Sequence, residues 1–240
     1  MKFWYNVIQP KAEGANPEIW IYDYIGDFGV TAMDIIRELK ALDTPEIDVH
    51  INSGGGSIFD GYAMSQELVK HPAKINIFID GLAASIASFI ALAGDSIEIS
   101  ESGFFMIHRA SLNGYFAMTA EEMRKQADRL DQIEKSIINQ YTIRTGKDEL
   151  EIIALMDDET WFDAESAKEH GFVDTVFESL KAAASCQSVS NFTNVPEAYQ
   201  ARIENNQTPD AEEPNEPKDF SRLRLLRKRQ ETNQKLIELS

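Results

Sequence analysis

The chain has 240 residues, 40 acidic against 23 basic side chains, a formal net charge of −17 and a single cysteine, Cys186. That length suits one full domain with an appendage. The excess of acid argues against a nucleic-acid-binding role, because phosphates repel such a surface, and one cysteine excludes an internal disulfide or a cysteine-based zinc site.

In chain order, Ile19–Ile25 reads as a strand from its β-branched and aromatic residues, and Thr31–Ala41 as a helix. Glu46–Ile51 is an alternating strand, Ser57–Lys70 a helix, and Ile75–Ile79 a strand of nearly continuous apolar character. Ser85–Ala93 is a small-residue helix, followed by strands at Ile97–Ile99 and Phe104–His108. This alternation predicts an α/β domain with largely parallel pairing. Thr119–Thr145 then reads as one long helix. Thr119 and Glu122 form a capping-box pattern at its start, Gly146 is a stop, and Met123, Ala127, Leu130, Ile133, Ile137 and Tyr141 make an apolar stripe. Shorter helices follow at Asp148–Met156 and Ala164–His170, and a last strand at Phe172–Phe177.

The pattern dissolves near Ala182. Residues 191–219 are rich in Asn, Gln, Pro and acid, and are expected to be disordered. Phe220–Leu239 recovers helical spacing as a basic amphipathic segment. The first 180 residues carry the whole −17 and the last 60 are neutral. Neither a signal peptide nor an apolar run of membrane-spanning length is visible, so the expectation is a soluble, cytoplasmic protein without a membrane or nucleic-acid partner.

Two glycine-rich stretches, Asn52–Gly56 and Gly81–Ser85, each follow a strand and precede a helix, and both read as turns. Three consecutive glycines let backbone N–H groups face a ligand. No Lys-Ser/Thr pair follows them, so this is not a P-loop. A serine at a strand-to-helix turn commonly caps the helix. It can also be a nucleophile if a base reaches it, and His108, at the end of a strand, can reach the same sheet edge. The acidic run Asp157-Asp158-Glu159 could hold the imidazole. His50, His71 and His170 lack partners at metal-ligand spacing, so neither metal nor cofactor is expected.

Several stretches in this order resemble the Clp protease proteolytic subunit family, ClpP, and within it the phage and prophage head-maturation branch. They are Ile51-Asn52-Ser53-Gly54-Gly55-Gly56, Gly81-Leu82-Ala83-Ala84-Ser85-Ile86-Ala87, Ala93-Gly94-Asp95 and Phe105-Met106-Ile107-His108. Thr145-Gly146, Phe162-Asp163-Ala164-Glu165-Ser166-Ala167 and Gly171-Phe172-Val173-Asp174 continue the match. The likeness runs from about Ile19 to Val176. It implies an α/β fold of the ClpP/crotonase type, with repeated β-β-α units and a long handle helix; the C-terminal tail, from about Ala182, is unlike the family's housekeeping subunit and is read from composition as a disordered tail that ends in a basic helix. The expected division is a peptidase domain over 1–181, an acidic flexible linker over 182–219 and a basic amphipathic helix over 220–240.

The resemblance also implies roles. Ser85 is the nucleophile, His108 the general base and acid, and the N–H groups of Gly56 and Ile86 the oxyanion hole. Glu159 falls where the family usually has aspartate, with Asp158 and Asp157 as adjacent alternatives. The implied function is a serine endopeptidase that processes phage or prophage capsid or scaffold proteins, within the cytoplasm or the assembling procapsid. Its implied assembly is a ring, heptameric and able to stack. Gly54 replaces the family's proline, Arg109-Ala110 a Gln-Pro pair, and the region before Ile19 lacks the axial-loop sequence, which puts an unfoldase ATPase partner in doubt. A non-catalytic scaffolding ring and a crotonase-type acyl-CoA enzyme are the other readings; the latter would not need Ser85 and His108 paired.

Overall fold

A computed structural model of the chain describes residues 7–8, 15–112, 117–178, 189 and 192–206. All of these lie in one unit, 4–207; the second unit, 1–3 with 208–240, lies outside the described residues. So do Cys186, most of the expected linker and the expected basic helix over 220–240.

The described residues begin with two short strands, β1 (Val7–Ile8) and β2 (Glu18–Tyr22), and then α1 (Ala32–Leu39). β3 (Glu46–Ser53), α2 (Ile58–Lys70), β4 (Lys74–Ala84), α3 (Ile86–Ala91) and β5 (Ser96–Ser100) follow. β2, β3, β4 and β5 lie side by side and parallel, joined by the three helices. Their alternation explains the layering: Ile19, Ile21, Ile47, Val49, Ile51, Ile75, Ile77 and Ile79 are fully or almost fully buried in one core together with Ile35, Leu39, Met64 and Leu68 of the helices. The other face carries Trp20, His50 and Phe78 stacked in a row, at 4.5 and 5.1 Å between ring centres.

A second set of elements extends one end of the sheet. β6 (Phe104–Ile107) is parallel to the end of β4, with Leu82, Ala83 and Ala84 opposite Phe104, Phe105 and Met106. α4 (Ala120–Thr145) and α5 (Glu149–Asp157) lead to β7 (Thr160–Asp163), which pairs antiparallel with β6. α6 (Ala164–Glu169) and β8 (Thr175–Phe177) return to the edge of β5. The capping box at Thr119 is formed as expected, with Glu122 N donating to Thr119 Oγ1 at 3.3 Å and Thr119 N donating to Glu122 Oε2 at 2.7 Å. Gly146, at φ 69°, ends the helix. Only the later part of the α4 stripe is buried in this chain, at Ile137, Ile138 and Tyr141; Met123 is 55% exposed.

Three expectations are corrected. Gly81–Ala84 is not a turn but the continuation of β4, because these small residues fit between β3 and β6 with Leu82, Ala83 and Ala84 fully buried. β7 is an addition, since four residues after an acidic run carry little pattern of their own. The third correction concerns 192–206, which falls inside the stretch read as disordered. Here the structure has a helix, α7 (Glu197–Asn206). Val189 and Tyr199 are buried there against Leu82, Ala84, Phe104 and Met106, with Phe192, Val195 and Ile203 packed alongside. These five residues are three or four apart, a helical-period stripe that the polar average of the segment conceals.

Candidate active site

Ser85 lies between the last residue of β4 and the first of α3, at φ 55° and ψ −127°. A β-carbon makes a positive φ costly, and such strain persists only where the surroundings impose it. The backbone is held by Ser85 N donating to Met106 O at 3.1 Å, which carries the β4–β6 pairing one residue further. Ser88 Oγ donates to Ser85 O at 2.5 Å and is 2.7 Å from the Tyr141 hydroxyl, so α4 supports the turn from behind. Ser85 stands at the N-cap of α3, yet its hydroxyl makes no capping bond. It meets His108 instead: Nε2 is 2.7 Å from Ser85 Oγ. With the imidazole neutral and protonated on Nδ1, Ser85 Oγ donates to Nε2, the arrangement in which the histidine can take the serine proton.

The glycine loop approaches from β3. Gly55 has φ 92°, and a β-carbon there would lie 2.7 Å from Ser85 Cβ and 2.8 Å from Ala84 O. The loop can therefore close over Ser85 only with glycine at this place. Gly56 has φ 149° and bridges Ile25. That bridge uses Ile25 N on Gly55 O (2.9 Å) and Ser57 N on Ile25 O (2.7 Å), so the Gly56 N–H is directed away from it. Ile86 is the first residue of α3, where a helix leaves its N–H without an intrahelical acceptor. The sequence reading singled out Gly56 but not the clearance role of Gly55, which only the approach of two distant segments reveals.

The acids divide. Asp157 is taken by Arg109, whose Nε donates to its Oδ1 at 2.7 Å. Asp158 is exposed at the C-cap of α5. Glu159 is half-buried, at φ 47°, a left-handed conformation that usually falls to glycine at a helix end. Its charge reaches His108, and it acts with Glu134 to raise the imidazole pKa, but burial outweighs both and holds His108 below its ordinary value. Ser85 and His108 are thus brought into contact. Glu159 is brought near them, with its hydrogen bonds made elsewhere: Thr193 N (2.8 Å) and Asn194 N (2.7 Å) donate to Oε1, and Thr193 Oγ1 (3.2 Å) to Oε2.

Sequence reasoning missed the anchor of His108. Arg109 Nη1 donates to Glu134 Oε2 and Ala110 N to Glu134 Oε1, both at 2.7 Å, tying the chain after β6 to α4. Glu134 is 6% exposed; in the sequence it is a charge on the apolar side of the helix, three and four residues before Ile137 and Ile138, and that was the available signal. Glu134→Ala leaves the Ala110 N–H and one arm of Arg109 without their acceptor. It should lower stability by about 1–3 kcal/mol and reduce peptide cleavage, whereas Glu134→Gln should keep one acceptor and lose less. Thermal melting and cleavage rates of the two variants check this.

A family model described as Clp protease matches residues 18–180. The chain belongs to the Clp protease family. It is 29% identical over 157 residues to ATP-dependent Clp protease proteolytic subunit 1 of Protochlamydia amoebophila, covering 63% of this chain and 76% of that one. It is 31% identical over 140 residues to proteolytic subunit 2 of Corynebacterium diphtheriae, covering 58% and 69%. Among solved structures, a point mutant of ClpP1 from Listeria monocytogenes superposes with a TM-score of 0.61 at 21% identity, over 68% of this chain and 92% of that one. That likeness establishes the ClpP-like fold, and membership of a Clp protease family implies peptidase chemistry. Among the described residues, no helix is long and apolar enough to cross a membrane.

Proposed function

We propose that this Clp protease family member is a serine endopeptidase in which Ser85 is the nucleophile and His108 the general base and acid. The observation that carries the reading is the 2.7 Å approach of His108 Nε2 to Ser85 Oγ at a strained strand-to-helix turn. His108 takes the Ser85 proton as Oγ bonds to the scissile carbonyl carbon. The N–H groups of Gly56 and Ile86 receive the oxyanion. His108 then gives the proton to the leaving amine, and the C–N bond breaks to leave an acyl-Ser85. Water, deprotonated by His108, releases the acid and restores the serine. Glu159 is the acid that would orient the imidazole once its carboxylate is free to accept from it; its charge already acts on His108, while Asp157 is engaged by Arg109. A crotonase-type enzyme has no use for the Ser85–His108 pair.

The reading extends to assembly and substrate. The chain forms a ring, heptameric and able to stack, and the exposed first half of the α4 stripe supports burial between subunits. Its substrates are capsid or scaffold proteins of a phage or prophage, encountered in the cytoplasm or the procapsid. The −17 charge of the body favours basic segments of such proteins.

A fluorophosphonate probe tests the chemistry. It should label Ser85 in the full chain, at a rate that falls as the pH drops through the His108 pKa, since a protonated imidazole accepts no proton. Burial places that midpoint below the ordinary value of about 6.5, with a plateau towards neutral pH. Absence of labelling at every pH would instead favour the non-catalytic scaffolding ring.

A further inference from the structure

The segment before α7 lies directly on the candidate site. Phe192 packs edge-on against the His108 ring, with centres 5.3 Å apart at 84°, and against Trp161 at 5.7 Å. The next two residues hold the Glu159 carboxylate through the bonds from Thr193 N, Thr193 Oγ1 and Asn194 N, and Asn194 Nδ2 donates to Asp158 O at 2.7 Å. Trp161 Nε1, at 3.4 Å, adds a weaker contact to the same Glu159 oxygen. Behind these residues α7 is seated by Tyr199, which is 3% exposed and meets Phe104 at 5.5 Å. Glu159 Oε1 thus accepts two short backbone bonds, which fill its two lone pairs.

We propose that Phe192, Thr193 and Asn194, backed by α7, form an intramolecular latch that keeps the site at rest by holding the Glu159 carboxylate and covering His108. The proposal rests on the peptidase reading above. With the latch closed, the carboxylate that should accept from His108 Nδ1 is committed to Thr193 and Asn194, and the imidazole is screened from water. With it open, Glu159 is released towards His108 and the space over the ring becomes available to a peptide. Thr193 and Asn194 are exposed, so the hold on Glu159 is made of bonds that water can replace, and Phe192 is only partly buried, so opening leaves the main core around β2–β5 in place. Phe192 and the two residues after it therefore act through Glu159 and His108 and not on substrate.

The test compares the full chain with Phe192→Ala and with the milder Thr193→Ala. Fluorophosphonate labelling of Ser85 should be about tenfold faster in Phe192→Ala, the gain when a competent state populated at about one tenth becomes dominant, and about two- to threefold faster in Thr193→Ala. Where the full chain labels, equal or slower labelling in the variants overturns the latch and makes 192–194 a strut. The His108 titration, followed by NMR in the same proteins, is independent of Ser85. His108 is faced by Glu159 from the α5–β7 junction and by Glu134 from α4, with Arg109 beside it. Release exposes the ring and frees the Glu159 carboxylate towards it, so its pKa should rise in both variants. If no form labels while the His108 pKa rises, the peptidase reading fails and the latch stands. An unchanged His108 pKa in both variants overturns the latch whatever the labelling shows.

Discussion

Ser85→Ala should reduce peptide cleavage by about 10⁶-fold, to the background left by binding and the oxyanion donors, because members of such a catalytic unit fail together. The fold should be retained. The substitution keeps Cβ, relieves nothing in the backbone, and removes one hydrogen bond, to His108. A net loss of about 1 kcal/mol is the expected scale for that bond. The positions that hold the turn are untouched: Ser85 N on Met106 O, and Ser88 between Ser85 O and Tyr141. Circular dichroism, thermal melting and the mass of the intact assembly should therefore match the parent, while cleavage of a reporter peptide vanishes. Retained cleavage by purified Ser85→Ala would sink the assignment of the nucleophile.

Gly55→Ala should also damage activity, less than the loss of Ser85 does, without touching a reacting group. The added methyl would lie 2.7 Å from Ser85 Cβ, 2.8 Å from Ala84 O and 3.2 Å from Ile86 N, all of them backbone or a short side chain that cannot swing aside. Either the glycine loop lifts or the Ser85 turn shifts. A displacement of about 1 Å can cost about 10²-fold in rate, and overpacking of this kind costs about 1–3 kcal/mol. The cleavage rate should fall by at least that factor and the melting temperature should drop. Gly146→Ala is the control. Gly146 is also at positive φ, 69°, but a β-carbon there meets nothing within 4 Å. It should lose only the left-handed strain, about 1–2 kcal/mol, and keep its cleavage rate per folded molecule. Equal loss of activity in both variants would show that backbone strain, not clearance around Ser85, is the cause.

The two variants also mark how far the sequence could be read. The parallel core was legible in Ile19–Tyr22, Glu46–Ile51 and Ile75–Ile79, because alternation and apolar runs report local burial directly. The ends of α4 were legible because caps are local: Thr119 with Glu122 satisfies the first N–H groups from within four residues, and Gly146 ends the helix; the same device, Thr31 with Asp34, starts α1. Where the sequence misled, a nonlocal partner decided. Gly81–Ala84 carries turn residues, but with β3 on one side and β6 on the other it is strand. Residues 192–206 have the composition of a linker, but the uncovered face of Leu82, Ala84, Phe104 and Met106 gives their sparse apolar side chains somewhere to bury.

By itself, then, the sequence determined the α/β layering, the helix ends and the residue types available for chemistry, Ser85 at one strand end and His108 at another. All of these follow from periodicity and from bonds made within a few residues. Only the tertiary structure decided that β4 and β6 run side by side, so that residues 23 positions apart meet at 2.7 Å. It likewise decided that Gly55 must lack a side chain to pass Ser85, that Asp157 is engaged by Arg109, and that Glu159 is held by Thr193 and Asn194. Each of these depends on the distance between segments remote in the chain, and that distance is set by how the whole core packs.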